Sequence, residues 1–284
     1  MPVQEAPKSD RFVRSSLGGS RDISRWGCGS QLRAAVSAGV SGMDIGVYVQ
    51  EYLRAAIRQP KQFLETRPKR LCTICGHEGR FLDVGPRPEA RCPNCSSKER
   101  DRIMGLYLRN NGVDMKDKNL LHFSAERPFF RQWKHYPGYV AGDIKISKVA
   151  NAVVDITDIK FGDGHFDHVI CHHVLEHVPN DAQGIRECFR VLKPGGTAFF
   201  SVPLDQSRAE TWEPPPEMSA EEVESICGWD HVRLYGRDFP DKLAAVGFKV
   251  DEISFSPKEG EEHRLTETHA LAPQGLDRIF VCTR

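Results

Sequence analysis

The 284-residue chain has no run approaching eighteen consecutive apolar residues and no net charge, since 39 Lys and Arg balance 39 Asp and Glu. The first absence excludes a membrane-spanning helix of ordinary length. The second leaves any attraction for an anionic partner to local imbalance. The opening MPVQEAPKSDRFVRSS lacks the apolar stretch of a signal peptide, so we expect a cytoplasmic protein with no membrane contact. The nine cysteines do not form the framework of a small disulfide-rich secreted domain: four sit in two tight pairs and five are scattered. Reduced thiols and a metal are therefore expected. A G-x-G-x-x-G after the first apolar strand is also missing, which argues against a nucleotide-dependent oxidoreductase.

The composition is that of a soluble globular protein, 39% hydrophobic and 27% charged, long enough for one ordinary domain and a smaller module. Charge is unevenly spread. Residues 51–150 carry 20 Lys and Arg against 11 Asp and Glu, a balance of +9, whereas residues 151–284 carry 13 against 24, or −11. A basic front half could meet nucleic acid, although its charges are dispersed along the sequence.

Residues 1–43 are rich in Ser, Gly and Arg and predict a mobile polar tail. Across 44–70, Ile45, Val49, Tyr52, Leu53, Ala56, Ile57 and Leu64 largely follow helical spacing up to the break at Pro60, predicting an amphipathic helix. A metal-binding module and a following helix occupy 71–112, with Ile103, Leu106 and Tyr107 on the apolar face of that helix. From residue 113 short apolar runs alternate with helical segments: strands are predicted at 119–125, 138–144, 152–156, 166–174 and 196–204, and helices near 127–134, 181–192 and 238–246. The last two strands, FKVDEISF and DRIFVCTR, read as an antiparallel pair closing the sheet edge. Strand and helix in series give an α/β fold, a Rossmann-like doubly wound, mostly parallel sheet with a small N-terminal zinc-ribbon-like module. Ile185, Cys188, Phe189 and Leu192 share one helix face, which makes Cys188 a core residue and not a nucleophile.

Cys72-x2-Cys75 and Cys92-x2-Cys95, sixteen residues apart, supply four thiolates to one tetrahedral Zn2+. His77 is a possible substitute ligand. A closed thiolate set leaves no position for substrate, so the role is structural.

Open parallel sheets bind ligands at the carboxyl ends of their strands. Glu126, Asp143 and Asp155 fall at or near the first three such ends. Residues 155–203, DITDIKFGDGHFDHVICHHVLEHVPND…ECFRVLKPGGTAFFSVP, resemble class I S-adenosylmethionine-dependent methyltransferases of the "type 11" branch. With CTICG, CPNCSSKERDR, LLHFSAE and DHVRLYGRDF, the chain resembles a bacterial subgroup with a cysteine-rich front end over roughly residues 70–284. The resemblance implies S-adenosylmethionine as methyl donor. It implies Asp143, with Ile144, as the ribose-binding acid, Asp155 with the Ile156 backbone as the adenine contact, and His172 near the cofactor's methionine end. Ser124-Ala125-Glu126 stands where the family usually has a glycine-rich loop, and the small Ser124 and Ala125 could still let the cofactor approach.

Methyl transfer needs alignment and a shielded pocket, with a base optional. For a hydroxyl acceptor His172 or His173 could take the proton, whereas His177 reads as structural. No Asn/Asp-Pro-Pro-aromatic motif is present, which disfavours amino-methylation of a nucleic-acid base. Residues 205–237 read as a substrate-cover insert, with Trp212, His231, Arg233 and Tyr235 as lining groups. The expectation is a methyltransferase acting on a small molecule or sugar-like metabolite, the acidic second half repelling phosphates. The alternatives are a zinc-containing RNA-binding or RNA-modifying protein and a degenerate, non-catalytic methyltransferase fold.

Overall fold

The alternating apolar runs assemble into one mixed sheet, seen in a computed structural model that describes residues 45–228, 230–254, 268–271 and 278–284. The expected tail, residues 1–43, lies outside the described residues. Helix α1 (Ile45–Arg58) leads through a 3-10 turn to two small hairpins, β1 (Arg70–Leu71) with β2 (Glu78–Gly79) and β3 (Leu82–Val84) with β4 (Arg87–Arg91). Helix α2 (Glu99–Asn110) follows. The sheet then takes up β5 (Leu120–Phe123), α3 (Arg127–Trp133), β6 (Tyr139–Asp143), β7 (Ala152–Val153), β8 (Phe166–His172), α4 (Asp181–Val191) and β9 (Leu192–Ser201). Helices α5 (Ala220–Cys227) and α6 (Phe239–Ala245) precede β10 (Lys249–Ser254) and β11 (Arg278–Thr283).

Among the described residues the main sheet has the order β10-β11-β9-β8-β5-β6-β7. Strands β5 to β9 are parallel, and β11 lies antiparallel between β9 and β10. From β5 the chain builds outward through β6 and β7, then returns to build the other way from β8, so strand order reverses between β5 and β8. Strict alternation sorts the side chains to two faces. Leu121, Val169, Cys171, Ala198 and Phe200 pack with Ile185 and Cys188 of α4 and with Phe239 and Leu243 of α6. Leu120, Ile170 and Phe199 pack on the opposite face with Ile103, Met104 and Leu106 of α2 and with Phe129 and Trp133 of α3. The helix next to the cysteines is thus one of the sheet's own covering helices.

Two local readings change. Strand β9 begins at Leu192, before Pro194-Gly195-Gly196, because Leu192 pairs with Phe166 across an irregularity that Gly195, at φ 76°, absorbs. Helix α1 is held by its polar face. Glu51 is 4% exposed and pairs with Arg91 at 3.0 Å, and Tyr52 donates to the Arg80 carbonyl, while Ile45, Val49, Leu53 and Ile57 stay exposed.

The guanidinium of Arg102, wholly buried in α2, donates to the carbonyls of Ser97 and His269 (both 2.8 Å), Ala90 (3.1 Å) and Ala270, and lies over the Phe81 ring. A buried cation is tolerated only when its donors are met in this way. Arg102→Met is expected to leave four carbonyls without that donor and to lower stability by about 3–5 kcal/mol in denaturant titration. A loss below about 1 kcal/mol would show that water replaces the guanidinium.

Candidate functional site

Both strands that flank the reversal end on a non-glycine residue in the left-handed region, Ser124 after β5 at φ 44° and His173 after β8 at φ 51°. Such conformations cost of order 1–3 kcal/mol and gather at functional sites. Ser124 is held by its N–H to the Gly142 carbonyl (2.9 Å) and by its hydroxyl, which donates to Asp143 Oδ2 at 3.0 Å. The other Asp143 oxygen accepts the Ile144 N–H. The ends of β5 and β6 are therefore tied together at the reversal, with an acid between them. Ile144 is 74% exposed beside that acid. Asp155 is exposed, and the Thr157 hydroxyl and N–H both donate to it and hold its carboxyl below the usual range. Ile156 is buried in the core.

Glu126 turns beneath this surface. Its carboxylate lies 2.7 Å from His122 Nε2 and 3.6 Å from His172 Nδ1. With Nε2 carrying a proton toward the carboxylate, Nδ1 of His122 accepts from the Tyr139 hydroxyl at 3.0 Å. Burial opposes charge on Glu126, but the His122 hydrogen bond and His172 overcome it and hold the carboxyl well below its usual range. Asp101 of α2 shares the same interior: burial first, then the charge of Glu126, pushes its carboxyl up to about 6. One of its oxygens accepts the Lys98 N–H at 2.8 Å.

The two catalytic candidates are placed differently. His172 is 3% exposed and neither ring nitrogen makes a hydrogen bond, whereas His173 is half-buried at the strand end, 3.3 Å from Glu176. Of the four groups assigned to line the cover, two turn inward. Arg233 is 3% exposed and donates to the carbonyls of Leu175, Val178 and Pro179, and Tyr235 is fully buried with its hydroxyl on Asp181 at 2.7 Å. They fasten the segment to the turn after β8 and do not face an acceptor, which corrects the lining assignment. Trp212 pairs through its backbone with Leu234, and His231 stays beside the turn after β8.

The four thiols form a separate centre. Cys72 and Cys95, and Cys75 and Cys92, approach to 3.7 Å between sulfurs, and all four lie within 4.8 Å of one another. Sulfurs bonded to one tetrahedral ion at 2.3 Å would stand about 3.8 Å apart. The two turns are near copies: Gly76 and Ser96 both adopt positive φ, and their N–H groups donate to the carbonyls of Cys72 and Cys92. Burial opposes a charged Cys72, but hydrogen bonds from the other three thiols and Ser97 bring it well below its usual range. His77 is not in the group and stacks on Phe81. Elsewhere, burial pushes the Cys188 thiol up, in keeping with a core residue.

Sequence reasoning missed Asp101, His122 and Glu176, and gave His231 only a lining role. A histidine inside the apolar run LLHF was a signal for His122, but a charged helix residue such as Asp101 reads as solvated without the fold.

Comparisons with known proteins bear on this geometry. The family model of a methyltransferase domain matches residues 132–200, from the end of α3 to β9, and so begins after the Ser124-Ala125-Glu126 loop. A ubiquinone biosynthesis O-methyltransferase of Pseudomonas fluorescens is 58% identical over 37 residues. That stretch is 13% of this chain and 16% of the relative, so the chain spans about a sixth of the length of the curated relatives it matches. A structure of an S-adenosylmethionine-dependent methyltransferase from Archaeoglobus fulgidus aligns at 16% identity and a TM-score of 0.43 over 66% of this chain and 95% of that one. One from Mesorhizobium loti gives 15% and 0.43 over 64% and 98%. Among the described residues no helix is long and apolar enough to cross a membrane.

The buried acids set a pH dependence. Asp101 titrates near 6 in the fold against about 3.9 unfolded. Its contribution is fully present below pH 4 and is lost as pH rises through 6, because the folded state must then ionise a buried carboxyl. Asp101→Asn, which keeps an oxygen for the Lys98 N–H, is expected to gain about 1–3 kcal/mol relative to the parent between pH 4 and pH 7. Parallel stability profiles for the two proteins would show that Asp101 does not titrate in this range.

Proposed function

We propose that this chain, which carries a methyltransferase-family domain, transfers a methyl group from S-adenosylmethionine to a hydroxyl-bearing small molecule or sugar-like metabolite. The observation that carries the reading is the acid at the strand reversal, Asp143, held by Ser124 and flanked by an exposed aliphatic side chain. A ribose diol needs a carboxylate at the end of β6, and an adenine ring needs apolar cover beside it. Asp143 and Ile144 offer both. Asp155 and the Ile156 backbone would take the adenine amino edge, and the Ser124-Ala125 backbone would lie along the cofactor.

The donor supplies an electrophilic methyl on a sulfonium. The chain's residues hold and orient the reactants. Glu126 and His172 are positioning residues: buried under the loop, they fix the ends of β5 and β8 and so the width of the cleft. His173 is our candidate to accept the acceptor's proton, since it sits at the end of β8 with the segment 205–237 fastened over the following turn. A hydroxyl acceptor is favoured by this histidine and by the short likeness to an O-methyltransferase. A small, non-phosphate acceptor is favoured by the net charge of −11 over residues 151–284, from 13 Lys and Arg against 24 Asp and Glu.

We also propose that the four thiolates hold one structural zinc, whose spacing they fit. Such binding is worth on the order of 10 kcal/mol and would organise two hairpins with little core of their own. Cys92→Ser is expected to remove one equivalent of zinc and to lower Tm. Unchanged zinc content and Tm would sink the assignment.

For the cofactor, titration calorimetry with S-adenosylmethionine is expected to give saturable binding. Asp143→Ala should weaken it about tenfold or more, at about 1.5–3 kcal/mol per charged hydrogen bond lost, with the fold intact. Equal affinity in both proteins would remove Asp143 from the ribose site, and no heat in either would remove the methyltransferase reading.

A further inference from the structure

Beyond the thiol centre, the turn after β8 brings a second donor set together. Glu176 and His177 lie in a 3-10 turn (Leu175–His177), and His231 reaches it from the cover segment. One ligand atom from each, a carboxylate oxygen and two ring nitrogens, lies within 4.8 Å of the others. We infer that Glu176, His177 and His231 bind one divalent first-row transition ion, just past the carboxyl end of β8.

Three observations point to a ligand here. The Glu176 carboxylate is 2% exposed, yet neither of its oxygens accepts a hydrogen bond, a costly state for a buried carboxylate. Its nearest ring nitrogens are His173 Nδ1 at 3.3 Å and His177 Nε2 at 4.0 Å. The second observation is the orientation of His177. Its Nδ1 lies 3.0 Å from the Asp230 carbonyl oxygen and 3.3 Å from the Asp230 carboxylate. A proton on Nδ1 satisfies that carbonyl and leaves the Nε2 lone pair facing Glu176, the arrangement that metal-bound histidines use.

The third is the anchoring of His231. The N–H of Val232 donates to the Glu176 carbonyl at 2.8 Å, and Arg233 binds three carbonyls of residues 175–179, so His231 is clamped beside His177 with ring centroids 4.8 Å apart. Donors bonded to one ion at about 2.1 Å can stand no more than about 4.2 Å apart. Closing the set therefore needs side-chain movements below an ångström.

Two imidazoles and one carboxylate suit Zn2+ or Fe2+ and leave coordination positions open for an oxygen ligand. The use of that opening rests on the methyltransferase reading. A metal-bound acceptor hydroxyl would release its proton to solvent by way of His173, the proton acceptor named above. Its oxygen would then take the methyl carbon as the carbon–sulfur bond breaks, with the sulfur keeping the bonding pair as a neutral thioether and the metal unchanged.

The test is zinc titration by calorimetry on purified protein whose four-thiolate centre is already loaded, paired with metal analysis. One further equivalent is expected, weakened at least tenfold by His231→Ala, His177→Ala or Glu176→Gln and unaffected by Cys75→Ser. If Glu176→Gln lowers Tm, the half-exposed His231→Ala carries the comparison. No further equivalent in the parent, or one bound equally well by the His231 and His177 variants, would overturn the site. Calorimetry with S-adenosylmethionine on the same samples separates the readings: a second zinc without cofactor binding sinks only the methyltransferase reading, and cofactor binding without a second zinc sinks only this site.

Discussion

A single buried cation fixes how the cysteine segment meets the main sheet. Arg102 has no solvent exposure, and its donors end on carbonyls from β4, from the turn that follows Cys95 and from residues 269 and 270 near the end of the chain. A guanidinium can be buried this way only if segments far apart in sequence present carbonyls at the spacing of its fork. The preceding residue, Asp101, enters the polar interior beneath the cleft. Adjacent side chains of α2 therefore address two centres, and a shift of this helix would disturb the thiol turns and the polar interior around Glu126 together.

The turn after β5 takes a conformation that glycines commonly take. A glycine-rich loop lets backbone approach a ligand because it carries no side chains and tolerates positive φ. Here Ser124 adopts positive φ with a side chain in place, and its hydroxyl is used to hold Asp143. Ala125 is buried and small, and Glu126, too large to lie under a ligand, is drawn down by His122 and by the nearby His172. The loop is stiffened from below.

Much of this was legible in the sequence. The alternation of strands and helices, the thiol pairs and the helix carrying Ile185 and Cys188 all obey short-range rules that a single element expresses alone. The positions of Asp143 at the end of β6 and of Asp155 just past β7 were also legible, because a strand end is a local position. Tertiary choices were not legible. The apolar stripe of α1 faces outward because Glu51 finds Arg91, forty residues away, and no periodicity reports that. Arg233 and Tyr235 read as lining groups by type, but their partners, Asp181 and three carbonyls, are more than fifty residues upstream. The triad of Glu176, His177 and His231 is spread over two segments that only the cover brings together.

The placement of β11 bears on the order in which the protein can be made. This strand comes last among the sheet's elements in the chain, yet it lies between β9 and β10, and the Arg284 N–H donates to the Gly196 carbonyl beyond it. During synthesis, β5 to β9 can pair while the polypeptide is still growing, but one edge of β9 and the inner edge of β10 stay open until residues 278–283 leave the ribosome. Open edges of apolar strands recruit other chains. The nascent protein thus passes through a vulnerable interval whose length is set by translation of residues 202–283, and slowing elongation over that stretch would raise the share of chains lost to aggregation.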